Sequence, residues 1–201
     1  MFYSLFDTAF GLSGMAFRSV EDGRIVHIFL PRSKKDIVAR IKKIHPDATE
    51  AQSPKVQDLI KDIIRYLKGE PVSLSMDLLD TSVCYPFQLR VLMTERTIQR
   101  GKTASYGWVA HQIDTKGVRA VGSALARNPF PIVVPCHRAI RSDRTLGGFQ
   151  GGLEMKRALL EMEGVEFDSK GRVQPDFLLT DDSQTVRTES NQHFGSMIWL
   201  V

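Results

Sequence analysis

Residues Tyr106 to Ala126 read YGWVAHQIDTKGVRAVGSALA, and this stretch decides the second half of the chain. It predicts a short helix over about 106–112 and another over 116–126, separated by Ile113-Asp114-Thr115. Two short helices joined by a tight polar turn make a helix-turn-helix pattern. The second helix is rich in small residues, and its Gly122 costs helix stability. Either a neighbour packs very closely on that face or the face meets the wall of a groove.

Downstream, Asn128-Pro129 ends the second helix, and the apolar run Phe130 to Val134 leads into Pro135-Cys136-His137-Arg138. A thiolate is the strongest side-chain nucleophile, and cationic neighbours lower a cysteine's pKa by stabilising its charged form. The thiol is therefore placed to attack. The competing reading is a buried small hydrophobe ending a strand, the commoner use of a free cysteine. Next comes a glycine-rich loop, Thr145 to Gly152, built around Phe149; glycines there let the backbone approach or bend around a flat ligand. A final helix over 153–162 stops at Glu163-Gly164. Upstream, Pro86 opens a helix running to about Ile98, with Phe87, Val91, Leu92 and Met93 available for a core.

The amino-terminal part reads as scaffold. Runs at 3–6, 14–17 and 24–30 predict strands, with Glu21-Asp22-Gly23 as a hairpin signal. A helix from Ser33 to His45 follows, capped by Ser33 and stopped by Pro46. A second, about Ser53 to Lys68, places Val56, Leu59, Ile60, Ile63, Ile64 and Leu67 on one face, with Gly69 as its stop. Residues 70–84 read as a linker containing a short extended piece, Val72-Ser73-Leu74. No reactive constellation stands out before residue 85.

Composition bounds the class. At 201 residues, 42% hydrophobic and 25% charged, the chain is a soluble globular protein of one large or two small domains. Met1 to Phe10 carries no positive n-region, and no apolar run approaches the roughly 18 residues of a membrane span, so no membrane association is expected. The expected location is cytoplasmic, or nuclear in a eukaryote. Cys84 and Cys136 are too few for a disulfide framework and lack zinc-ligand spacing, so neither metal nor cofactor is expected. Between Glu95 and Leu146, nine basic residues (Arg96, Arg100, Lys102, Lys116, Arg119, Arg127, Arg138, Arg141, Arg144) face three acidic ones (Glu95, Asp114, Asp143). A basic segment around a nucleophile suggests a polyanionic partner, with an ordinary solvated face as the competing reading.

Ser105-Tyr106-Gly107, Arg119-Ala120-Val121-Gly122, Asn128-Pro129, Pro135-Cys136-His137-Arg138, Gly151-Gly152, Lys156 and Leu159-Leu160 through Glu163-Gly164 follow one another at a distinctive spacing. In these the chain resembles the O6-alkylguanine-DNA alkyltransferases, also called methylated-DNA-protein-cysteine methyltransferases. The resemblance covers about residues 85–164. It implies an α/β (α+β) fold: a ribonuclease-H-like scaffold domain over 1–80, then a mainly helical, winged-helix-like domain with the helix-turn-helix over 85–165. A tail of unassigned role occupies 166–201.

The resemblance further implies direct-reversal DNA repair in a single turnover, the alkyl group of O6-alkylguanine in double-stranded DNA passing irreversibly to Cys136. His137 would be the base, through a water, with Glu163 orienting it; adjacent residues of a strand point opposite ways, so this relay needs a turn at Cys136. Asn128 would brace the segment, and Tyr106 would donate a hydrogen bond to the purine. Arg119 would fill the space left by the flipped base. Ser105, Ala120, Gly122 and Arg138 would contact DNA, with Gly117 also suiting a minor groove. Pro131, Ala139, Phe149 and Gln150 would form the base pocket, and a monomer is expected. Phe149 stands where many members have tyrosine, and Asp143-Arg144 where a small turn residue is common. Two other readings stay open: a non-catalytic alkylguanine-binding module that recruits repair factors, which has no need of the thiol, and a cysteine hydrolase, for which no oxyanion feature is visible.

Overall fold

The computed structural model describes residues 1–180. Three antiparallel strands, β1 (Phe2–Thr8), β2 (Gly11–Phe17) and β3 (Ile25–Phe29), form a meander. After helix α1 (Lys34–Ile44), the short strand β4 (Thr49–Glu50) joins β1 in parallel, giving the order β3-β2-β1-β4. Ser33 caps α1 as expected, its hydroxyl accepting from Asp36 N. Helix α2 (Pro54–Leu67) buries Val56, Leu59, Ile60, Ile63, Tyr66 and Leu67 on one face. Each buried aliphatic of this size contributes about 1.5–3 kcal/mol of transfer free energy, so packing rather than intrinsic propensity holds α2 in place.

The connection over 70–84 is less independent than a linker. No strand forms at Val72 to Leu74. Instead, Leu74 and Leu79 are buried, Ile25 N donates to Leu78 O, and Asp80 N donates to Ile25 O, strapping the segment along β3. Then come α3 (Pro86–Arg96), strand β5 (Ala104–Ser105), α4 (Tyr106–Gln112) and α5 (Val118–Ala126). Helix α5 packs on both α3 and α4. Strand β6 (Ala139–Ile140) pairs with β5 in parallel, and α6 (Leu153–Met162) closes the unit.

One apolar cluster runs from Phe6 and Phe17 through Tyr66 and Leu67 to Val91, Trp108, Val134 and Leu159. The two halves therefore share a core, and Ile28 N in β3 also donates to Pro129 O just upstream of the thiol. The start of the tail is docked as well. Thr103 N donates to Phe177 O and Leu179 N to Thr103 O, while Val165 and Val173 pack with Ile140 and Leu160. The rest of that tail, residues 181–201, lies outside the described residues. Among the described residues no helix is long and apolar enough to cross a membrane.

Candidate active site

The run Phe130 to Val134 is wholly buried but is a tight turn rather than a strand, with Pro131 bridging to Val134 and Ile132 held at φ 74°. A β-branched residue is disfavoured in that left-handed region, so the surrounding core imposes the geometry. The chain then enters a 3-10 turn over Cys136–Arg138. This is the turn that a Cys136–His137 relay requires, and it sends successive side chains in different directions.

The thiol points one way. Cys136 is 5% exposed and lines a cavity of about 380 Å³ with Tyr106, Gly122, Leu125, Ala126, Arg141, Gly147, Gly148, Phe149 and Gln150. That volume falls within the range of small-ligand sites. Asn128 Nδ2 donates to Cys136 Sγ at 3.2 Å and to Val134 O at 3.0 Å, while its Oδ1 accepts from Phe130 N at 2.9 Å. Burial pushes the thiol pKa up to about 12, against the opposing pull of the Asn128 amide. The expectation of a cation-activated thiolate is therefore corrected: at neutral pH the group rests as a thiol and needs a base at the moment of attack.

His137 and Arg138 turn toward Glu163. Imidazole Nε2 lies 2.8 Å from Glu163 Oε1, and Arg138 reaches both carboxylate oxygens, Nε to Oε2 and Nη2 to Oε1, at 2.9 Å each. Burial alone would raise the Glu163 pKa, but the hydrogen bonds and charges of His137 and Arg138 hold it well below the usual carboxylate range. An ionised Glu163 can only accept, so His137 carries its proton on Nε2 and keeps the Nδ1 lone pair. Nδ1 is buried and makes no hydrogen bond to a protein group. Burial lowers the imidazole pKa as the leading influence, which favours this neutral form.

The resemblance sent Arg138 to DNA, and here the structure corrects it. Its guanidinium is held by Glu163, Ile98 O and the Tyr66 hydroxyl, with only 10% of the side chain exposed. The basic stripe thins for the same reason. Arg96 donates to Val133 O and Leu74 O, Arg100 to Gly69 O and Glu70 O, Lys102 to Asp176 O, and Arg144 to Val173 O. Lys116, Arg119, Arg127 and Arg141 remain exposed, Arg127 donating to the Tyr85 hydroxyl.

Other expected residues divide in the same way. Arg119 and Ala120 lie exposed on α5 next to Val118, a large apolar side chain 43% exposed. Gly122 has nothing within 4 Å of where a Cβ would stand, so close packing is not the reason for it; it opens onto the cavity. Ser105 caps α4, its hydroxyl accepting from Trp108 N at 2.9 Å. Phe149 and Gln150 line the cavity, whereas Pro131 and Ala139 are buried and do not. Tyr106 stands across from the thiol, its hydroxyl 3.4 Å from Gly148 O and its pKa raised to about 12 by burial. Gly147, at φ 66°, comes so close to Tyr106 that an added Cβ would sit 2.7 Å from the hydroxyl.

Sequence reasoning singled out Lys156 without giving it a role and missed Glu95, the buried carboxyl near it. Glu95 in α3 is fully buried and neither carboxyl oxygen makes a hydrogen bond. Burial raises its pKa to about 8, although the Lys156 and Arg138 cations pull the other way. Lys156 in α6 is fully buried too, donating to Ala139 O at 2.5 Å and Gly148 O at 3.3 Å, with its pKa brought down to about 8 by burial. Lys156 thus fastens the glycine-rich loop to β6. Arg141 in the cavity wall and Tyr66 were also missed.

Comparison with known proteins points one way. Residues 86–165 match the model described as 6-O-methylguanine DNA methyltransferase, DNA binding domain. The chain is 41% identical over 130 residues to the methylated-DNA–protein-cysteine methyltransferase of Methanothermobacter thermautotrophicus, covering 65% of this chain and 72% of that one. It is 46% identical over 86 residues to the Haemophilus influenzae protein of the same name, covering 42% and 48%. Among solved structures, Mycobacterium tuberculosis OGT in complex with DNA superposes with a TM-score of 0.64 at 30% identity, over 81% of this chain and 92% of that one. The O6-methylguanine-DNA methyltransferase of Pyrococcus kodakaraensis gives 0.65 at 28% identity, over 81% and 99%.

Proposed function

The chain belongs to the 6-O-methylguanine DNA methyltransferase family, and from that premise we propose that it repairs O6-alkylated guanine in DNA by drawing the alkyl group onto its own Cys136. The observation that carries the reading is a buried thiol opening onto a cavity that Tyr106 also lines, with the next residue, His137, held on the Glu163 carboxylate.

Cys136 loses its proton to His137 Nδ1 through an intervening water as the sulfur attacks the carbon attached to O6. A C–S bond forms and the C–O6 bond breaks, its electron pair passing to the purine. The purine takes up one proton from water as it leaves neutral, and the imidazolium returns the thiol proton to water, so the proton count closes. Glu163 stabilises the imidazolium, and Tyr106, kept protonated by its raised pKa of about 12, donates to the purine. Asn128 holds the sulfur in line. A thioether offers no route back, so each molecule acts once.

On the DNA side, α5 enters the minor groove with Ala120 and Gly122 toward the backbone and Arg119 in the space vacated by the flipped base. The exposure of Val118, Arg119 and Ala120 supports this. A ribonuclease-H-like scaffold over 1–80, a winged-helix-like unit over 85–165 and a tail from 166 form the accompanying domain assignment. A binding-only module would have no use for Cys136 in the cavity wall. The test is intact mass and peptide mapping after incubation with duplex DNA carrying O6-methylguanine: a stable gain of one methylene on Cys136 is expected, and tight binding without a gain would overturn the reading.

A further inference from the structure

We propose that Tyr66, delivered by α2 from the amino-terminal half, is a positioning residue of the transfer site, its hydroxyl holding the Glu163 carboxylate on His137. The inference rests on the reading of Cys136 as the alkyl acceptor and adds a residue from outside the matched segment, which starts at residue 86.

Tyr66 is 3% exposed, and its hydroxyl donates to Glu163 Oε1, the oxygen that also meets His137 Nε2. The same hydroxyl lies 3.4 Å from His137 Nε2 and accepts from Arg138 Nη2 at 3.4 Å. Guanidinium can only donate and an ionised carboxylate can only accept, so the phenol is oriented unambiguously, proton toward Glu163 and lone pair toward Arg138. Burial and the Glu163 charge raise the Tyr66 pKa, keeping it a donor. Its ring is fixed in turn by Arg100, whose guanidinium lies 5.3 Å from the ring centroid and donates to Gly69 O, Glu70 O and Met162 O. Arg100 thereby ties the end of α2 to the end of α6, the two elements that carry Tyr66 and Glu163.

Without the hydroxyl, Glu163 loses one of the donors on Oε1 and becomes a stronger acceptor for His137. The imidazole then holds a proton more readily, and less of the neutral base is present on the acid side. The charged groups facing this cluster are Glu163, Arg138 and Lys156 around His137, with Arg96 and Arg100 near Tyr66.

The experiment compares single-turnover transfer from an O6-methylguanine duplex for the parent, Tyr66→Phe, Glu163→Gln and the double variant, recording adduct mass, melting temperature and DNA affinity on the same samples. Tyr66→Phe keeps the ring and its contact with Arg100. It should slow transfer roughly tenfold, the scale of one hydrogen bond to a charged group. Melting and DNA affinity should stay near the parent, and the acid limb of the pH–rate profile should move to higher pH. In the Glu163→Gln background the same change should cost less than about twofold, because the partner through which it acts is gone. Incorporating 3-fluorotyrosine at position 66, a better donor of unchanged shape, should move the acid limb the opposite way. Parental rates in Tyr66→Phe, or an equal loss with and without the Glu163 carboxylate, would overturn the inference. A parent that gains no mass on Cys136 would instead overturn the acceptor reading beneath it.

Discussion

Asn128 donates its side-chain amide to the sulfur of Cys136 at 3.2 Å while the same residue satisfies Phe130 N and Val134 O on the turn that carries the thiol. One side chain thus fixes both the nucleophile and the strained backbone leading to it. Asn128→Ala should leave the buried Phe130 N–H without a partner, at about 1–3 kcal/mol, and take from Val134 O one of its two donors, the other being Cys136 N. Differential scanning calorimetry should record a lower melting temperature, accompanied by slower alkyl transfer.

Cys136→Ser should abolish transfer and leave DNA affinity near the parent value. A hydroxyl fills almost the same space but is far less acidic and nucleophilic than a thiol. Gel shifts and adduct mass spectrometry on the same preparation check both halves, and residual transfer comparable to the parent would remove Cys136 from its role.

Arg119 lies exposed on α5. If it occupies the place of the extruded base, Arg119→Ala should slow repair of a duplex much more than reaction with free O6-benzylguanine, which has no stack to leave. Equal losses on both substrates would assign Arg119 to the pocket or the fold.

Gly147→Ala should narrow the cavity, since the new Cβ would stand 2.7 Å from the Tyr106 hydroxyl at a residue with φ 66°. Tyr106 or the loop has to shift. Reaction with O6-benzylguanine should suffer more than reaction with O6-methylguanine DNA, and competition kinetics between the two substrates would reveal it.

Glu95 makes stability depend on pH. Its folded pKa is raised to about 8 from 4.5, so between those values the folded state holds a proton that the unfolded chain has released. The stability it contributes is present below pH 4.5 and is lost as pH rises toward 8. Lys156 acts oppositely at higher pH: its pKa falls to about 8 from 10.5, so raising the pH across that interval restores stability. Denaturant unfolding of Glu95→Gln should show a flatter profile between pH 5 and 8 than the parent, by about 1 kcal/mol or more; an unchanged slope would mean that Glu95 titrates normally.

The helices were legible because their signals are local. Spacing of apolar residues, Ser33 as a cap and Pro46, Gly69 and Gly164 as stops set the boundaries within a residue or two, and α4 and α6 coincide with the predicted spans. The Cys136, His137 and Glu163 grouping was legible through the resemblance. What stayed hidden depends on pairing at long range. Arg138 carries a visible charge, but the partner that removes it from the surface is 25 residues away. Tyr66 sits on an apolar helix face where a tyrosine looks like any core aromatic, and its partner Glu163 is 97 residues distant. Glu95 counted as one more surface acid, since nothing beside it in sequence announces that α3 turns it inward.

The enclosure of the Cys136 sulfur also sets how repair is supplied. At 5% exposure it is shielded from external disulfides that could exchange with it, and once alkylated it is a thioether that thiol–disulfide exchange cannot reverse. The protein behaves as a fuse rather than a tool. Repair capacity then equals the number of unspent copies, each lesion subtracts one, and only new synthesis of the chain refills the stock.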